Sequence, residues 1–433
     1  MDPITTVALA LGAVCLLVFL HVPIGIAMTV VGVVGFGAMT SFDAALSLLA
    51  TEPASLLNNV DIAVIPLFLL MGSFARAGGL ADDIYGFAHA LIGHVRGGLA
   101  MATIFGCGLF GSIAGSSIAT TATFGPLALP QMMARRYKGS FAAGTVAAGG
   151  TLGTMVPPSV ILVLYGLIAE QFILDLFVAA IVHAALAVVG YIVVIMIVTR
   201  ADAAAGPSAP RSTLRELAAA GRACRPALLL FLCVSGGIYG GVFTVTEAAS
   251  VGVLLTVMIA GSRKRLTWKT IGSALRNGAA NTAMIYIAIF GASILTYFIG
   301  LTRVSDDLVQ LLNGLNVPPL AVIGVLVLIY LFLGAIFDET AAMLVTLPFV
   351  LPVVVGLGFS PVWWGIVNLV VINLGMITPP IGLVVFVLYR LSDGLTLPAI
   401  YRGVTPFICI DLVRLLVLIL FPQLTLWLVA QLR

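Results

Sequence analysis

Two stretches of otherwise apolar sequence gather the groups that hold a small hard cation: hydroxyls, carboxylates and backbone carbonyls freed from helical bonding. The first is Gly111-Ser112-Ile113-Ala114-Gly115-Ser116-Ser117, followed by Gly149-Gly150-Thr151-Leu152-Gly153-Thr154-Met155-Val156-Pro157-Pro158. The second is Gly334-Ala335-Ile336-Phe337-Asp338-Glu339-Thr340, followed by Asn373-Leu374-Gly375-Met376-Ile377-Thr378-Pro379-Pro380. Two successive prolines remove two amide donors and strip nearby carbonyls of their helical partners. With the hydroxyls of Ser112, Ser116 and Ser117, those carbonyls offer the oxygen ligands that sodium takes. Asp338 and Glu339 interrupt a run without other charges from Leu320 to Leu357, and a carboxylate within a membrane is a functional candidate by default. Asp is also a preferred helix N-cap, so cation ligation, substrate contact, capping and proton coupling all stay open for Asp338.

The two stretches are copies of one another. Pro126, Pro130, Gly153, Pro157 and Pro158 recur as Pro348, Pro352, Gly375, Pro379 and Pro380, each pair 222 positions apart, and Asp338 falls opposite Ser116. Each half reads as a short helix-turn-helix hairpin, from about Gly98 to Ala134 in the first, and then a span broken at its glycine and double proline. Lipid cannot satisfy the polar tips, so they must face protein, water or ligand. A duplicated break of this kind points to a transporter's substrate and ion site. Upstream, Gly79-Leu80-Ala81-Asp82-Asp83-Ile84 resembles Arg303-Val304-Ser305-Asp306-Asp307-Leu308; each acidic pair reads as first-turn carboxylates that suit the helix dipole. An isolated serine such as Ser47 reads as helix packing.

The elements that position these groups must be membrane helices. Of 433 residues 61% are hydrophobic and 9% charged, against roughly a quarter charged in soluble domains, and the mean hydropathy is +1.20. Runs such as Ile4 to Leu20, Ile173 to Val198, Leu228 to Gly240 and Leu320 to Gly334 imply about a dozen membrane segments, some shorter than the roughly 20 residues of a full crossing. The expected class is an all-α polytopic membrane protein. Basic residues fall in clusters between spans, which report orientation and not nucleic-acid binding. The segment from Arg200 to Arg225, with five arginines against Asp202 and Glu216, separates two halves. The positive-inside rule places it in the cytoplasm with Arg135-Arg136 and Lys138, and with Arg263-Lys264-Arg265 and Lys269. The repeat counterpart of 135–138 is Leu357-Gly358-Phe359-Ser360, without charge, so the expected repeat is inverted across the membrane.

The five cysteines are scattered and read as core residues. His21, His89, His94 and His183 lack metal-ligand spacing, and Arg96 reads as an interface anchor. Thr246-Glu247 reads as a helix start with a capping threonine. The N-terminus, without a basic n-region or a small-residue cleavage site, reads as a retained span. No phosphate-binding glycine loop appears, so ATP hydrolysis is not expected. No nucleophile pairs with a base, so the chain is not expected to be an enzyme.

Gly93-His94-Val95-Arg96-Gly97-Gly98-Leu99-Ala100, the tip Gly115-Ser116-Ser117, Gly153-Thr154-Met155-Val156-Pro157-Pro158-Ser159, Gly236-Gly237-Ile238-Tyr239-Gly240-Gly241-Val242-Phe243-Thr244 with Thr246-Glu247-Ala248, and Ile377-Thr378-Pro379-Pro380-Ile381-Gly382 together resemble the large membrane subunit of tripartite ATP-independent periplasmic (TRAP) transporters, in order over nearly the whole chain. The resemblance implies an inverted-repeat, elevator-type secondary transporter with two re-entrant hairpins and two broken helices. It implies sodium-coupled import of a small organic acid across the bacterial inner membrane. Its partners would be a small four-helix membrane subunit from another chain and a periplasmic binding protein that delivers substrate, with the bilayer around it and no nucleic acid. Sodium is the coupling ion and no other cofactor is expected. By resemblance sodium sits near Ser116, Ser117, Gly153 and Val156 in one half and near Asp338, Gly375 and Thr378 in the other, with Ser112 a further hydroxyl candidate. Substrate lies between the tips, with Thr120, Thr154, Pro157, Glu339, Thr340, Asn373 and Pro379 as candidate contacts.

The expected parts are N-terminal scaffold helices and a first arm (1–97), the first hairpin and broken helix (98–170), scaffold helices with the linker 200–225 and a second arm (171–334), the second hairpin and broken helix (335–392), and a C-terminal arm with the last scaffold helix (393–433). Alternating spans as in the family give a periplasmic N-terminus. The rival reading is a stand-alone ion-coupled dicarboxylate transporter that needs no binding protein.

Overall fold

A computed structural model describes residues 2–304, 307, 308, 310, 317–392 and 394–432, and those residues are helical with no strand among them. In chain order the helices are α1 (Pro3–Phe19), α2 (Ile24–Met39), α3 (Phe42–Asn58), α4 (Val64–Ala77), α5 (Leu80–Ile92), α6 (Gly98–Ala114), α7 (Ser117–Ala134), α8 (Gly139–Met155), α9 (Val160–Ile168), α10 (Ile173–Ala201), α11 (Leu214–Tyr239), α12 (Val245–Ser262), α13 (Trp268–Thr302), α14 (Pro319–Ile336), α15 (Glu339–Gly356), α16 (Pro361–Gly375), α17 (Leu383–Leu391), α18 (Leu397–Leu420) and α19 (Gln423–Leu432).

Among the described residues eight helices are long and apolar enough to cross a membrane, and α8 with α9, bent by 43° at the break, makes a ninth. Shorter apolar helices are α1, α2, α6 and α16. At 1.5 Å per residue a 17-residue helix such as α6 spans about 25 Å, less than the roughly 30 Å hydrocarbon core. These are the short segments the hydropathy pattern predicts.

Both hairpins form. The first runs from Gly98 to Ala134, turning at Gly115, whose φ of +62° suits a residue without a side chain. The second joins α14 to α15 through Phe337 and Asp338. Pro126 and Pro130 lie inside α7, and Pro348 and Pro352 inside α15. The first break spans Val156 to Ser159 and the second Met376 to Gly382, with cis Pro157-Pro158 and cis Pro379-Pro380.

Small residues set the closest packing. A Cβ on Gly25 would stand 2.4 Å from the Ile287 carbonyl oxygen, and one on Gly291 2.2 Å from that of Gly25, so α2 and α13 touch backbone to backbone. The same device joins α8 to α18, where a Cβ on Gly144 would stand 2.1 Å from the Gly403 carbonyl oxygen. Close approach through small residues is how membrane helices gain dispersion contact without a hydrophobic driving force.

The basic clusters dock on neighbouring loops. The Lys138 amide donates to the Ala205 carbonyl at 3.2 Å and Gly97 to Gly206 at 2.8 Å, while Lys138 pairs with Asp202. Arg263 lies 2.5 Å from Asp83 and donates to the Gly78 carbonyl at 2.9 Å. Burial pushes the Asp83 carboxyl up although Arg263 and Arg265 hold it down. Asp82 and Asp83 occupy the first turn of α5 as expected; their counterpart at 303–308 lies partly outside the described residues.

Two local readings change. The segment 200–225 is loop only over 202–213, because Thr213 and Glu216 form a capping box that starts α11 at Leu214. The cap of α12 is Thr244 and not Thr246: the Thr244 amide donates to Glu247 at 2.8 Å, and the Glu247 amide donates to the Thr244 hydroxyl at 3.2 Å. In both cases the Thr-x-x-Glu spacing carries the signal.

Candidate functional site

The hairpin tips place equivalent residues in equivalent roles. Ser116 is the N-cap of α7, accepting the Ala119 amide at 3.3 Å, and Asp338 is the N-cap of α15, accepting the Ala341 amide at 2.6 Å. Each satisfies one of the amides left orphaned at a helix start. Both side chains are half-buried.

One residue further on, the two halves meet. Ser117 and Glu339 are repeat equivalents, and the Ser117 amide donates to Glu339 Oε1 at 3.4 Å. Ser117 Oγ donates to Asn373 Oδ1 at 2.8 Å, and Asn373 Nδ2 donates to Thr154 Oγ1 at 3.1 Å. Thr154 donates in turn to Glu339 Oε2 at 3.1 Å. The four side chains are sealed from solvent, Glu339 at 5% exposure and the others at 0%. This order of donors runs from Ser117 through Asn373 and Thr154 to the carboxylate. Since α7 begins at Ser117 and α15 at Glu339, two helix N-termini converge here, each with the partial positive charge that favours an anion.

The glycines of both breaks exist for closeness. A Cβ on Gly153 would stand 2.5 Å from both the Ser116 carbonyl oxygen and Thr120 Oγ1. One on Gly375 would stand 2.7 Å from the Gly334 carbonyl carbon and the Leu331 carbonyl oxygen. In the second half the Gly382 amide also donates to the Ala335 carbonyl at 2.9 Å, tying the break to the tip.

The expected site residues therefore divide. Ser117, Thr154, Glu339 and Asn373, read as a sodium ligand and three substrate contacts, form one cluster. Ser116, Gly153 and Thr120 meet beside it, and Thr120 Oγ1 is fully buried without a partner. Val156 caps the end of α8 and is half-buried. Ser112 donates to the Leu109 carbonyl at 2.8 Å, and Thr378 to the Leu374 carbonyl at 2.6 Å; each hydroxyl oxygen keeps lone pairs for a ligand. Thr340 is half-buried. The two breaks differ in exposure, with Pro157 buried and Pro379 exposed. Cavities of about 490 and 540 Å³ flank the C-terminal end of α9, sharing Asn59, Leu167 and Glu170.

Sequence reasoning missed Thr151 as a side-chain partner, and with it Tyr191, Asp411 and Arg414. Two charges three positions apart within the long apolar run of α18 were the available signal.

Residues 11–424 match the family model described as the tripartite ATP-independent periplasmic transporter, DctM component. The C4-dicarboxylate TRAP transporter large permease protein DctM of Pseudomonas aeruginosa is 34% identical over 370 residues, 85% of this chain and 86% of that one. The sialic acid TRAP transporter large permease protein SiaM of Vibrio cholerae is 27% identical over 411 residues, 95% of each chain. Among solved structures, the YdaH transporter of Alcanivorax borkumensis aligns over 88% of both chains with a TM-score of 0.57 at 16% identity, a likeness of fold alone. This chain belongs to the DctM component family of TRAP transporters, whose large permeases are multi-pass membrane proteins and not enzymes.

Proposed function

We propose that this DctM-family permease imports a small organic acid together with sodium, binding both where its two repeats meet. The observation that carries the reading is the hydrogen bond between Ser117 and Glu339, equivalent residues 222 positions apart that touch at the centre of the buried cluster. An equivalent pair in contact marks an axis of internal symmetry, and secondary transporters bind near such axes.

Several observations support the finer points. The tip carbonyls, the Ser116 and Asp338 side chains and the breaks at Gly153 and Gly375 supply oxygen donors for one cation in each half. The N-terminus of α7 is met by the Glu339 carboxylate, and the N-terminus of α15 beside it favours a substrate carboxylate. Inversion is supported by the hairpin ends: the end at 135–138 docks on the loop 202–209, whereas the equivalent end meets α9, where Tyr165 donates to the Pro361 carbonyl at 2.6 Å. The hairpins and breaks form the body that carries substrate elevator-fashion against the remaining helices. A small four-helix membrane subunit and a periplasmic binding protein complete the importer in the bacterial inner membrane. The family's substrates vary, a C4-dicarboxylate for one relative and sialic acid for another, and a carboxylate is common to both.

The test is uptake by proteoliposomes containing the chain with its co-expressed small subunit, using a panel that includes a C4-dicarboxylate and sialic acid. Uptake is expected only with an inward sodium gradient and the cognate binding protein. Equal uptake without sodium refutes the coupling, and undiminished uptake without the binding protein favours the stand-alone transporter.

A further inference from the structure

The geometry points to a buried ion pair outside both hairpins, Asp411 with Arg414, as the device that fixes the end of α8 in register with the Ser117–Thr154–Asn373–Glu339 cluster. One of its two tests rests on the sodium reading above. Asp411 and Arg414 are 1% and 7% exposed, and Arg414 Nη2 lies 2.8 Å from Asp411 Oδ1. Burying two charges among apolar helices is unfavourable unless their remaining valences are used. Here Asp411 Oδ2 is directed at α10 and Arg414 Nη1 at α10 and the last turn of α8, while Arg414 Nε has no hydrogen-bond partner among the described residues. Tyr191 on α10 donates to Asp411 Oδ2 at 2.6 Å, and its oxygen lies 3.1 Å from Thr151 Oγ1. Arg414 Nη1 reaches the His183 carbonyl at 3.2 Å and the Met155 sulfur at 3.1 Å.

Thr151 and Met155 stand on either side of Gly153 and Thr154. Thr154 belongs to the cluster, and Ser117 Oγ lies 3.5 Å from the Thr151 carbonyl oxygen. The polar chain from Arg414 through Asp411 and Tyr191 therefore ends at the cluster's edge. A positioning contact is needed at this point because α8 stops at a double proline, so its last turn has no continuing helix to hold its rotation. Asp411, Arg414 and Tyr191 are positioning residues: none is hydrogen-bonded to a residue of the cluster itself.

Tyr191→Phe isolates this role. The ring stays packed edge-on against Phe407, centroids 5.5 Å apart, and Thr151 keeps its bond to the Ala148 carbonyl at 2.7 Å. The local packing is therefore kept while the hydroxyl link from Asp411 to Thr151 is cut and, among the described residues, only the contact of Arg414 with Met155 still joins the pair to α8. The first readout is melting of the purified membrane complex against sodium chloride, with choline replacing sodium at constant ionic strength. Tyr191→Phe, which leaves Asp411 Oδ2 without its donor, is expected to melt below wild type in choline and, measured from that lower baseline, to need about three- to tenfold more sodium for half-maximal stabilisation, the range one hydrogen bond spans. Asp411→Asn is expected to shift the sodium requirement the same way. The second readout, free of sodium, is maleimide labelling of native Cys107, which is buried against α8 at Gly149; its labelling in choline is expected to quicken severalfold in Tyr191→Phe. An unchanged sodium requirement together with unchanged Cys107 labelling overturns the inference. If wild type shows no sodium-specific stabilisation, the sodium reading fails, and Cys107 labelling alone decides the positioning role.

Discussion

Glu339 keeps a carboxylate away from solvent with two neutral donors, the Ser117 amide and the Thr154 hydroxyl. Hydrogen bonds to a charged group contribute about 1.5–3 kcal/mol each against a desolvation cost of several kcal/mol, so the two donors offset the burial of the charge only in part. A carboxylate left with that deficit is set to respond to an added charge. Glu339→Ala leaves the Ser117 amide unpaired, while Thr154 turns to Asn373 Oδ1 at 3.2 Å, and initial uptake is expected to fall about tenfold or more at equal membrane abundance. Glu339→Gln, which keeps volume and one acceptor, is expected to insert normally and transport poorly. Rates divided by immunoblotted protein check both, and a wild-type rate in Glu339→Gln removes the charge from the mechanism. Losing the cap in Ser116→Ala or Asp338→Ala costs about 1 kcal/mol, too little to unfold the domain. Each is nonetheless expected to raise the half-saturating sodium concentration of uptake. The Asp338 cap was legible in sequence because aspartate is a preferred N-cap, whereas Ser116, at the same repeat position, was read only as a cation-ligating hydroxyl. That Ser117, Thr154, Glu339 and Asn373 join into one chain was not legible, since it depends on side chains 256 positions apart meeting.

The hairpins and breaks are where sequence speaks most plainly. Prolines and glycines act locally, so Gly98 and Ala134 mark the ends of the first hairpin in sequence and structure alike. The capping boxes at Thr213 and Thr244 were also local signals, masked by their polar or glycine-rich surroundings. The ion pair of α18 is different, because its partners lie on α10 and α8 and only packing brings them together. Helix packing also gives a prediction. Gly153→Ala sets a methyl 2.5 Å from the Ser116 carbonyl oxygen, an overpacking of about 1–3 kcal/mol, and Gly375→Ala does the same against Gly334. Both are expected to lower the melting temperature and abolish uptake. Gly236→Ala, with nothing within 4 Å of its new methyl, is the control and is expected to melt at or slightly above wild type, because alanine favours helix by up to about 1 kcal/mol. Fluorescence-detected size exclusion after heating reads all three.

For the molecule as a whole, composition and hydropathy already placed the chain in a membrane, and the 222-residue repeat located the two helix-turn-helix tips and the two breaks. Handedness across the bilayer rests on charge placement, and it has its own test. Single cysteines at Lys138 and Ser360, in a background lacking native cysteines, are expected to react with an impermeant maleimide from opposite faces of the cell membrane; labelling from one face would make the repeats parallel. The central claim is that two equivalent half-sites each hold a cation around one shared cluster. The most direct measurement is the sodium concentration dependence of initial uptake for wild type, Ser116→Ala and Asp338→Ala. Wild type is expected to be sigmoidal with a Hill coefficient rising toward about 2, the number of sites, and either variant to give a curve near hyperbolic. A hyperbolic wild-type curve, or a sigmoidal one untouched by both substitutions, would contradict the account.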